Sequence, residues 1–365
     1  MTLRFPHISQ TFIQNQIITL LKRGHQIKIQ ALKRNNHEKI QSDFSKYNLL
    51  KKTKYGTNIQ NLHNTDVIYI QFGDLGAKLL SQIKNKQFKG GVVVCFRGND
   101  ISGILNKNPH MYDDLFKQAD LFLPVCDFFK ERLISLGCPA EKIITHHSAI
   151  ETKKFTFKER AIKPDQRLNL ISVARIAPKK GLEYTIQAVA HLKQTYPHIR
   201  CTVIGEAQPN HLEYKRYLKA LVKELGIEEN VIFYGWAKTE DIIKELNTSD
   251  IFVLPSVTAQ DGDQEGIPNA LKEAMAVGLP VIATDHAGNS ELIDHMQSGI
   301  LVEEKNVEAI TNAIEWILEN QTSVKQMTKN ARKKIEDEFD IESVITKLEY
   351  IFDTLIKEKK RASHD

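Results

Sequence analysis

Short β-branched runs recur along this chain with helix-patterned stretches between them. That alternation restricts its fold more than any other feature. Strands separated by a helix pair in parallel, so the pattern predicts parallel sheets with crossover helices. Strands are expected at Ile27–Leu32, Val67–Phe72, Val92–Phe96, Leu121–Cys126 and Lys142–Thr145. A second series is expected at Leu168–Ala174, Cys201–Gly205, Val231–Tyr234, Ile251–Pro255, Val281–Thr284 and Gly299–Val302. The first helix reads from Thr11 to Arg23: Thr11 and Gln14 form a capping-box pattern, Ile13, Ile17, Leu20 and Leu21 make its stripe, and Gly24 ends it. The polar stretch Glu151–Arg167 reads as a linker. The expected organisation is therefore a Rossmann-like domain at 1–150, a linker at 151–167, a second Rossmann-like domain at 168–338, and a C-terminal helix at 339–365 crossing back to the first. Doubly wound sheets bind ligands at the carboxyl ends of their strands, so a cleft between the two domains is the default site.

Composition narrows the function. A chain of 365 residues, 41% hydrophobic and 26% charged, can bury two full cores. It holds no apolar run near the roughly 20 residues of a spanning helix. The start, MTLRFPHISQ, has no signal core, and Cys95, Cys126, Cys138 and Cys201 lack metal-type spacing; a cytoplasmic location is expected. Residues 1–60 carry 11 Lys+Arg against 2 acids, a net of +9, whereas the whole chain is only +5. A basic excess at one end argues against a nucleic-acid-binding chain and for a local anionic partner. Three readings of the basic segment 22–54 compete: a solvated face, an anionic membrane surface met through Lys22, Arg23, Lys33, Arg34, Lys39 and Lys46, and nucleic acid, which no recognised module supports.

The most informative stretch is PSVTAQDGDQEGIPNALKEAMAVGLPVIATDHAGNSELI, residues 255–293. Pro268 suits the first position of a helix whose small buried stripe is Ala270, Leu271, Ala274 and Met275, closed by Gly278. The free N–H groups of that helix start form an anion site. Glu265 precedes it, and Glu273 lies roughly 7–8 Å along the axis from Pro268. A bare pair of glutamates would be an ordinary loop acid and a solvated helix acid. Here an anion at the helix start has a carboxylate on either side, which suits a nucleotide-sugar. In SVARIAPKKGLEYTIQAVAHL, residues 172–192, a strand ends at Arg175 and a turn carries Lys179 and Lys180 before a helix; these cations could neutralise a diphosphate or form a solvated basic turn. Asp261 and Asp263 invite a metal, but a D-x-D metal motif conflicts with the tandem α/β layout, and a calcium loop fails at its last position, where Lys272 stands, so no metal is expected.

With these residues the sequence resembles the family 4 glycosyltransferases of the GT-B fold, whose hallmark is two glutamates separated by seven residues in this setting. FPHISQTFI at Phe5–Ile13, FRGNDIS at Phe96–Ser102, QADLFLPVCDFFKERLISLGCPAEKI and HHSAI resemble the exopolysaccharide and colanic-acid-type subgroup. The resemblance implies two Rossmann-like domains facing a central cleft. It also implies retaining transfer of a sugar from a nucleoside-diphosphate sugar, UDP- in preference to GDP-, to a saccharide or lipid-linked saccharide acceptor, without a cofactor, in the cytoplasm or at the inner membrane face. Glu265, Arg175 and Lys180 become the catalytic set. Glu273, Gly266, Ile267, Pro268, Asn269, Arg97, Gly235 and Trp236 become donor-binding, and Ser9 and Thr11 lie on the acceptor side.

Two departures stand out. Relatives begin with about eight more residues, so the first strand is expected to be short or missing here. Many have His at the position of Arg97, which otherwise reads as a structural arginine paired with Asp100. These departures motivate one alternative, a non-catalytic partner subunit that binds nucleotide, to be separated by turnover of the purified chain alone. Another is a GT-B sugar-nucleotide epimerase, which needs no acceptor. His146 and His147 are expected to be structural.

Overall fold

The structure, a computed structural model, describes residues 1–6, 11–34, 46–59, 62–162 and 167–362. It divides into two units, Met1–Glu151 with Asp340–Asp365, and Thr152–Phe339. Ser9, Lys39 and Phe44 lie outside the described residues.

In the first unit, β1 (Thr2–Phe5), β2 (Ile29–Arg34) and β3 (Thr53–Tyr55) form one parallel sheet. A second parallel sheet holds β4 (Val67–Ile70), β5 (Gly91–Phe96) and β6 (Leu121–Pro124). Met1 joins them: its amino group donates to the Tyr69 carbonyl at 2.5 Å, and its carbonyl accepts from Gln71 N at 3.0 Å. The strands thus run β3-β2-β1-β4-β5-β6. The first strand is short, four residues, and paired to β2 from Thr2↔Ala31 to Phe5↔Arg34, the former of the two expected outcomes. The strand expected at Lys142–Thr145 is reduced to one bridge, Phe122↔Ile143, behind a 3₁₀ turn at Ala140–Lys142.

The second unit is one six-stranded parallel sheet. Its strands are β7 (Asn169–Val173), β8 (Arg200–Ile204), β9 (Val231–Gly235), β10 (Ile251–Leu254), β11 (Val281–Thr284) and β12 (Ile300–Val302), ordered β12-β11-β10-β7-β8-β9. β10 and β11 are buried at every residue, as continuous apolar strands covered on both faces must be. Helices Leu182–Leu192 and Val307–Glu319 pack Leu182, Ile186, Val189, Ile310, Ile314 and Ile317 into that core. Numbered within the sheet, the order is 3-2-1-4-5-6, with its switch point between β7 and β10.

The stretch read as a linker is built into the second unit. Phe155 and Ile162 are buried, and the Arg160 guanidinium donates to the Asn247 and Val277 carbonyls at 2.9 and 3.2 Å. Phe155 O and Ala276 O both accept from Arg332, at 2.5 and 2.8 Å. The C-terminal helix, Ile341–Ala362, belongs to the first unit. Its Ile345 and Leu348 pack with Leu20, Val93 and Leu123, while Glu342 and Glu349 each hold Arg23 at 2.6 Å. Arg23 is therefore committed to the fold and leaves the basic patch.

One close approach at the switch point leads to a stability prediction. Gly181 has φ +58°, and a Cβ there would lie 2.0 Å from the Pro255 carbonyl oxygen. Gly181→Ala should destabilise the chain by more than about 1 kcal/mol, seen as a lower midpoint in denaturant melts. An unchanged midpoint would mean that the turn and the end of β10 do not touch.

Candidate active site

The carboxyl ends of β7 and β10 lie at the switch point, and Arg175, Lys179, Lys180, Asp263 and Glu265 gather there. After β7 the chain reaches Arg175, then a 3₁₀ turn at Pro178–Lys180, then helix Leu182–Leu192. After β10 it runs through residues 255–268 to helix Asn269–Ala276. Pro268 caps that helix with φ −63° and ψ 128° instead of standing at its first turn. The buried side of the helix is Leu271, Lys272, Ala274, Met275 and Ala276, so the expected stripe is corrected: Lys272 turns inward, and Ala270 is only half-buried. Lys272 Nζ sits 5.0 Å from the Phe339 ring centroid and donates to Asn269 Oδ1 at 3.3 Å.

Glu265 lies across both lysines: Oε1 is 2.9 Å from Lys179 Nζ, and Oε2 is 3.0 Å from Lys180 Nζ. The two ammonium groups differ in what remains free. Lys179 also donates to Asp263 Oδ1 at 3.0 Å and to the Gln264 carbonyl at 3.1 Å, so its ammonium is held at three points. Lys180 has Glu265 as its side-chain partner among the described residues, so two of its donors are open. Arg175 is exposed and makes no side-chain hydrogen bond or ion pair among the described residues. Lys180 and Arg175 are thus the cations able to receive an arriving oxyanion, whereas Lys179 pins the loop. Its bond to Asp263 gives that aspartate a role of its own.

Burial shifts these groups. At Glu265 burial alone would raise the carboxyl pKa, but Lys179, Lys180 and Arg175 outweigh it, and the group is held well below the usual carboxylate range. Burial lowers Lys180, with Glu265 opposing. At Lys179 burial is outweighed by Glu265 and Asp263, and its pKa rises. Glu273 keeps part of its surface, yet burial pushes it up to about 7, with Lys272 pulling the other way.

Three further residues complete the cluster, and none was singled out from the sequence. Glu265 N donates to His286 Nε2 at 3.3 Å, His286 Nδ1 meets Glu304 Oε1 at 2.5 Å, and Glu304 Oε2 accepts from Thr258 N at 3.0 Å. No spacing rule brings residues 258, 265, 286 and 304 together; only the parallel order of β10, β11 and β12 does. Gly266, Ile267 and Pro268 are buried beside Glu265. Gly235 ends β9 with φ +84° at the sheet edge, and Trp236 follows it, half-buried.

In the first unit, Arg97 follows β5. It does not pair with Asp100 as expected: Asp100 accepts from the backbone N–H groups of Gly73, Arg97 and Gly98 at 2.9, 3.0 and 2.9 Å. The guanidinium donates instead to Gln71 Oε1 at 2.7 Å and lies 4.4 Å from the Phe12 ring centroid. Its Nε is buried with no partner among the described residues. Thr11 opens helix Thr11–Lys22. His146 is buried against the Val344 carbonyl at 3.1 Å, and burial lowers its pKa to about 4.

The chain resembles known proteins over most of its length. The family model "Glycosyl transferases group 1" matches residues 153–334, which include the whole charged cluster. The putative colanic acid biosynthesis glycosyltransferase WcaL of Salmonella typhimurium is 30% identical, with 97% of this chain and 98% of that one covered. The amylovoran biosynthesis glycosyltransferase AmsK of Erwinia amylovora is 33% identical over 93% of this chain and 95% of its own. Among solved structures, Anabaena HepE in complex with UDP superposes with a TM-score of 0.80 at 18% identity, covering 97% of this chain and 99% of that one. The fold is GT-B. The chain belongs to the group 1 glycosyl transferases.

The raised Glu273 pKa fixes the sign of a pH effect. Between 4.5, the ordinary glutamate value, and about 7 the folded chain holds a proton that the unfolded chain has lost. Stability from this group therefore falls as pH rises through that window and stays lost above it. Glu273→Gln should raise the thermal midpoint relative to the parent at pH 8 and leave it level at pH 4. Equal shifts at both pH values would contradict a raised pKa.

Proposed function

We propose that this chain transfers a sugar from a nucleoside-diphosphate sugar, UDP- in preference to GDP-, to a saccharide acceptor in exopolysaccharide synthesis, with retention of configuration as in family 4 enzymes. The observation that carries the reading is the switch-point cluster itself, where a carboxylate and two unsaturated cations, Lys180 and Arg175, converge beside a helix start. The relatives named for colanic acid and amylovoran biosynthesis support the product class, and the UDP complex of HepE supports the donor class.

In this reading the diphosphate takes the open donors of Lys180 and Arg175 and the N–H groups around Gly266, Ile267, Pro268 and Asn269. Drawing Lys180 toward phosphate loosens its bond to Glu265, whose carboxylate turns to the sugar hydroxyls. Glu273 accepts from the ribose hydroxyls, and Gly235 and Trp236 flank the base. As the bond from the anomeric carbon to the phosphate oxygen breaks, the cations stabilise charge on the leaving diphosphate. The acceptor oxygen then bonds to the anomeric carbon, and its proton passes to the leaving phosphate. Arg97 is assigned to the donor sugar, and Ser9 and Thr11 to the acceptor side. No step is assigned to a metal. The alternative of a non-catalytic partner loses one of its two motives, because β1 is formed.

A ribose contact exists in both ground and transition states, whereas a contact to the reacting sugar matters most in the transition state. Glu273→Ala should therefore weaken UDP binding about tenfold or more, measured by calorimetry, and lower turnover with it. Glu265→Ala should bind UDP like the parent and lose turnover. Parental UDP affinity and parental turnover in both variants would remove the two-carboxylate site.

The acceptor is proposed to be lipid-linked, with the enzyme working from the cytoplasm at the inner membrane face. Among the described residues no helix is long and apolar enough to cross a membrane. Contact would come from the remaining basic residues of 22–54, of which Lys22 and Lys46 flank Tyr47 at 5.8 Å and Arg34 lies 5.9 Å from the Tyr55 centroid. Each cation near anionic headgroups is worth about 1 kcal/mol, over a Debye length of about 8 Å. Reversing Lys22, Lys33, Arg34 and Lys46 should abolish flotation with anionic vesicles at low salt and spare UDP binding. Salt-insensitive flotation, or none by the parent, would make the acceptor soluble.

A further inference from the structure

The loop that carries Glu265 is gripped on the side away from the lysines. We propose that His286 is a positioning residue for the sugar-facing carboxylate, holding the Glu265 backbone through Nε2 while Glu304 orients the ring. The proposal rests on the role given to Glu265 above.

His286 stands two residues beyond β11, with its side chain 1% exposed. Glu265 N–H donates to Nε2, so that nitrogen carries a lone pair, and the ring proton belongs on Nδ1, facing Glu304 Oε1 at 2.5 Å. This tautomer follows from the hydrogen-bond network. The other Glu304 oxygen accepts from Thr258 N at 3.0 Å, so one carboxylate anchors the near end of the loop directly and its far end through the imidazole.

The histidine backbone is itself held. Its N donates to the Thr284 carbonyl at 2.8 Å, its carbonyl accepts from Asn289 N at 3.0 Å, and the Thr284 hydroxyl donates to the Ser256 carbonyl. The ends of β10, β11 and β12 thereby converge on one ring.

Glu265 is fixed from two sides, its carboxylate by Lys179 and Lys180 and its amide by His286. When phosphate engages Lys180, half of the carboxylate's hold weakens, while the hold on the backbone does not depend on the donor. An enclosed ring whose lone pair is already occupied is not placed to take a proton from substrate. A side chain that merely filled the space would need no acceptor atom, and the acceptor is what this geometry requires.

The test uses the unliganded full-length chain and three variants, His286→Leu, His286→Gln and Glu304→Ala. Amide hydrogen exchange at Glu265 should quicken about tenfold in His286→Leu. In His286→Gln, whose side-chain carbonyl can accept the same proton, it should stay within about threefold of the parent. Glu304→Ala should quicken exchange at both Thr258 and Glu265, which keeps the proposal testable if His286→Leu does not fold. UDP affinity should be parental in all folded variants, while any gain of UDP-glucose over UDP should shrink in His286→Leu and return in His286→Gln. Unchanged exchange at Glu265 in His286→Leu, equal acceleration in the Leu and Gln variants, or parental exchange at both amides in Glu304→Ala would overturn the proposal. A parent that bound neither UDP nor UDP-glucose would remove the donor reading and leave the exchange result to judge His286.

Discussion

The charged end of the second unit depends on one carboxylate set between two buried ammonium groups. Buried ion pairs contribute little net stability, because desolvation offsets the attraction, yet removing one partner strands a buried charge at about 3–5 kcal/mol. Glu265, Lys179 and Lys180 are locked together in that sense. The lysines arrive on the turn after β7 and the glutamate on the loop after β10, so the contact can form only where the sheet reverses its strand order. The electrostatic centre and the topological switch point are the same place for that reason.

The cluster also divides labour between adjacent lysines that look equivalent in sequence. Lys179 donates to Asp263 and Gln264, pairs with Glu265 and becomes part of the loop's architecture. Lys180 keeps donors in reserve. Asp263, on the same turn, compensates a lysine 84 residues away. His286 and Glu304 supply the opposing grip, so the loop is tied to three strand ends beyond its own.

The first unit repeats the strand order with less margin. Its first strand is four residues long and is tied to the neighbouring sheet by Met1, and its C-terminal helix is fastened by Arg23 to Glu342 and Glu349. A basic residue that looked like part of a surface patch is a structural fastener. Asp100, by accepting three backbone N–H groups, shapes the turn that carries Arg97 and leaves the guanidinium to Gln71 and Phe12.

Most strands and the position of the helix after Pro268 were legible in the sequence, because hydrophobic period and Gly/Pro punctuation are local signals that parallel sheets reinforce; the exact buried stripe was not, since Lys272 turns inward there. Glu265, Arg175 and Lys180 were singled out from the sequence, and the fold brings them together. The packed course of Thr152–Ile162 was not legible, because polar residues such as Arg160 are held by carbonyls far along the chain. Nor was the difference between Lys179 and Lys180, which rests on partners that only folding brings within about 3 Å. His286 and Glu304 gave no sign at all: their roles depend on the side-by-side order of β10, β11 and β12, and strand order is decided by tertiary packing. The amino-acid sequence determined which segments would become strands and helices and which charges would be carried at their ends. The tertiary structure decided which of those charges meet, because an ion pair or a buried hydrogen bond is set by distance and desolvation, and neither exists until the sheet is assembled.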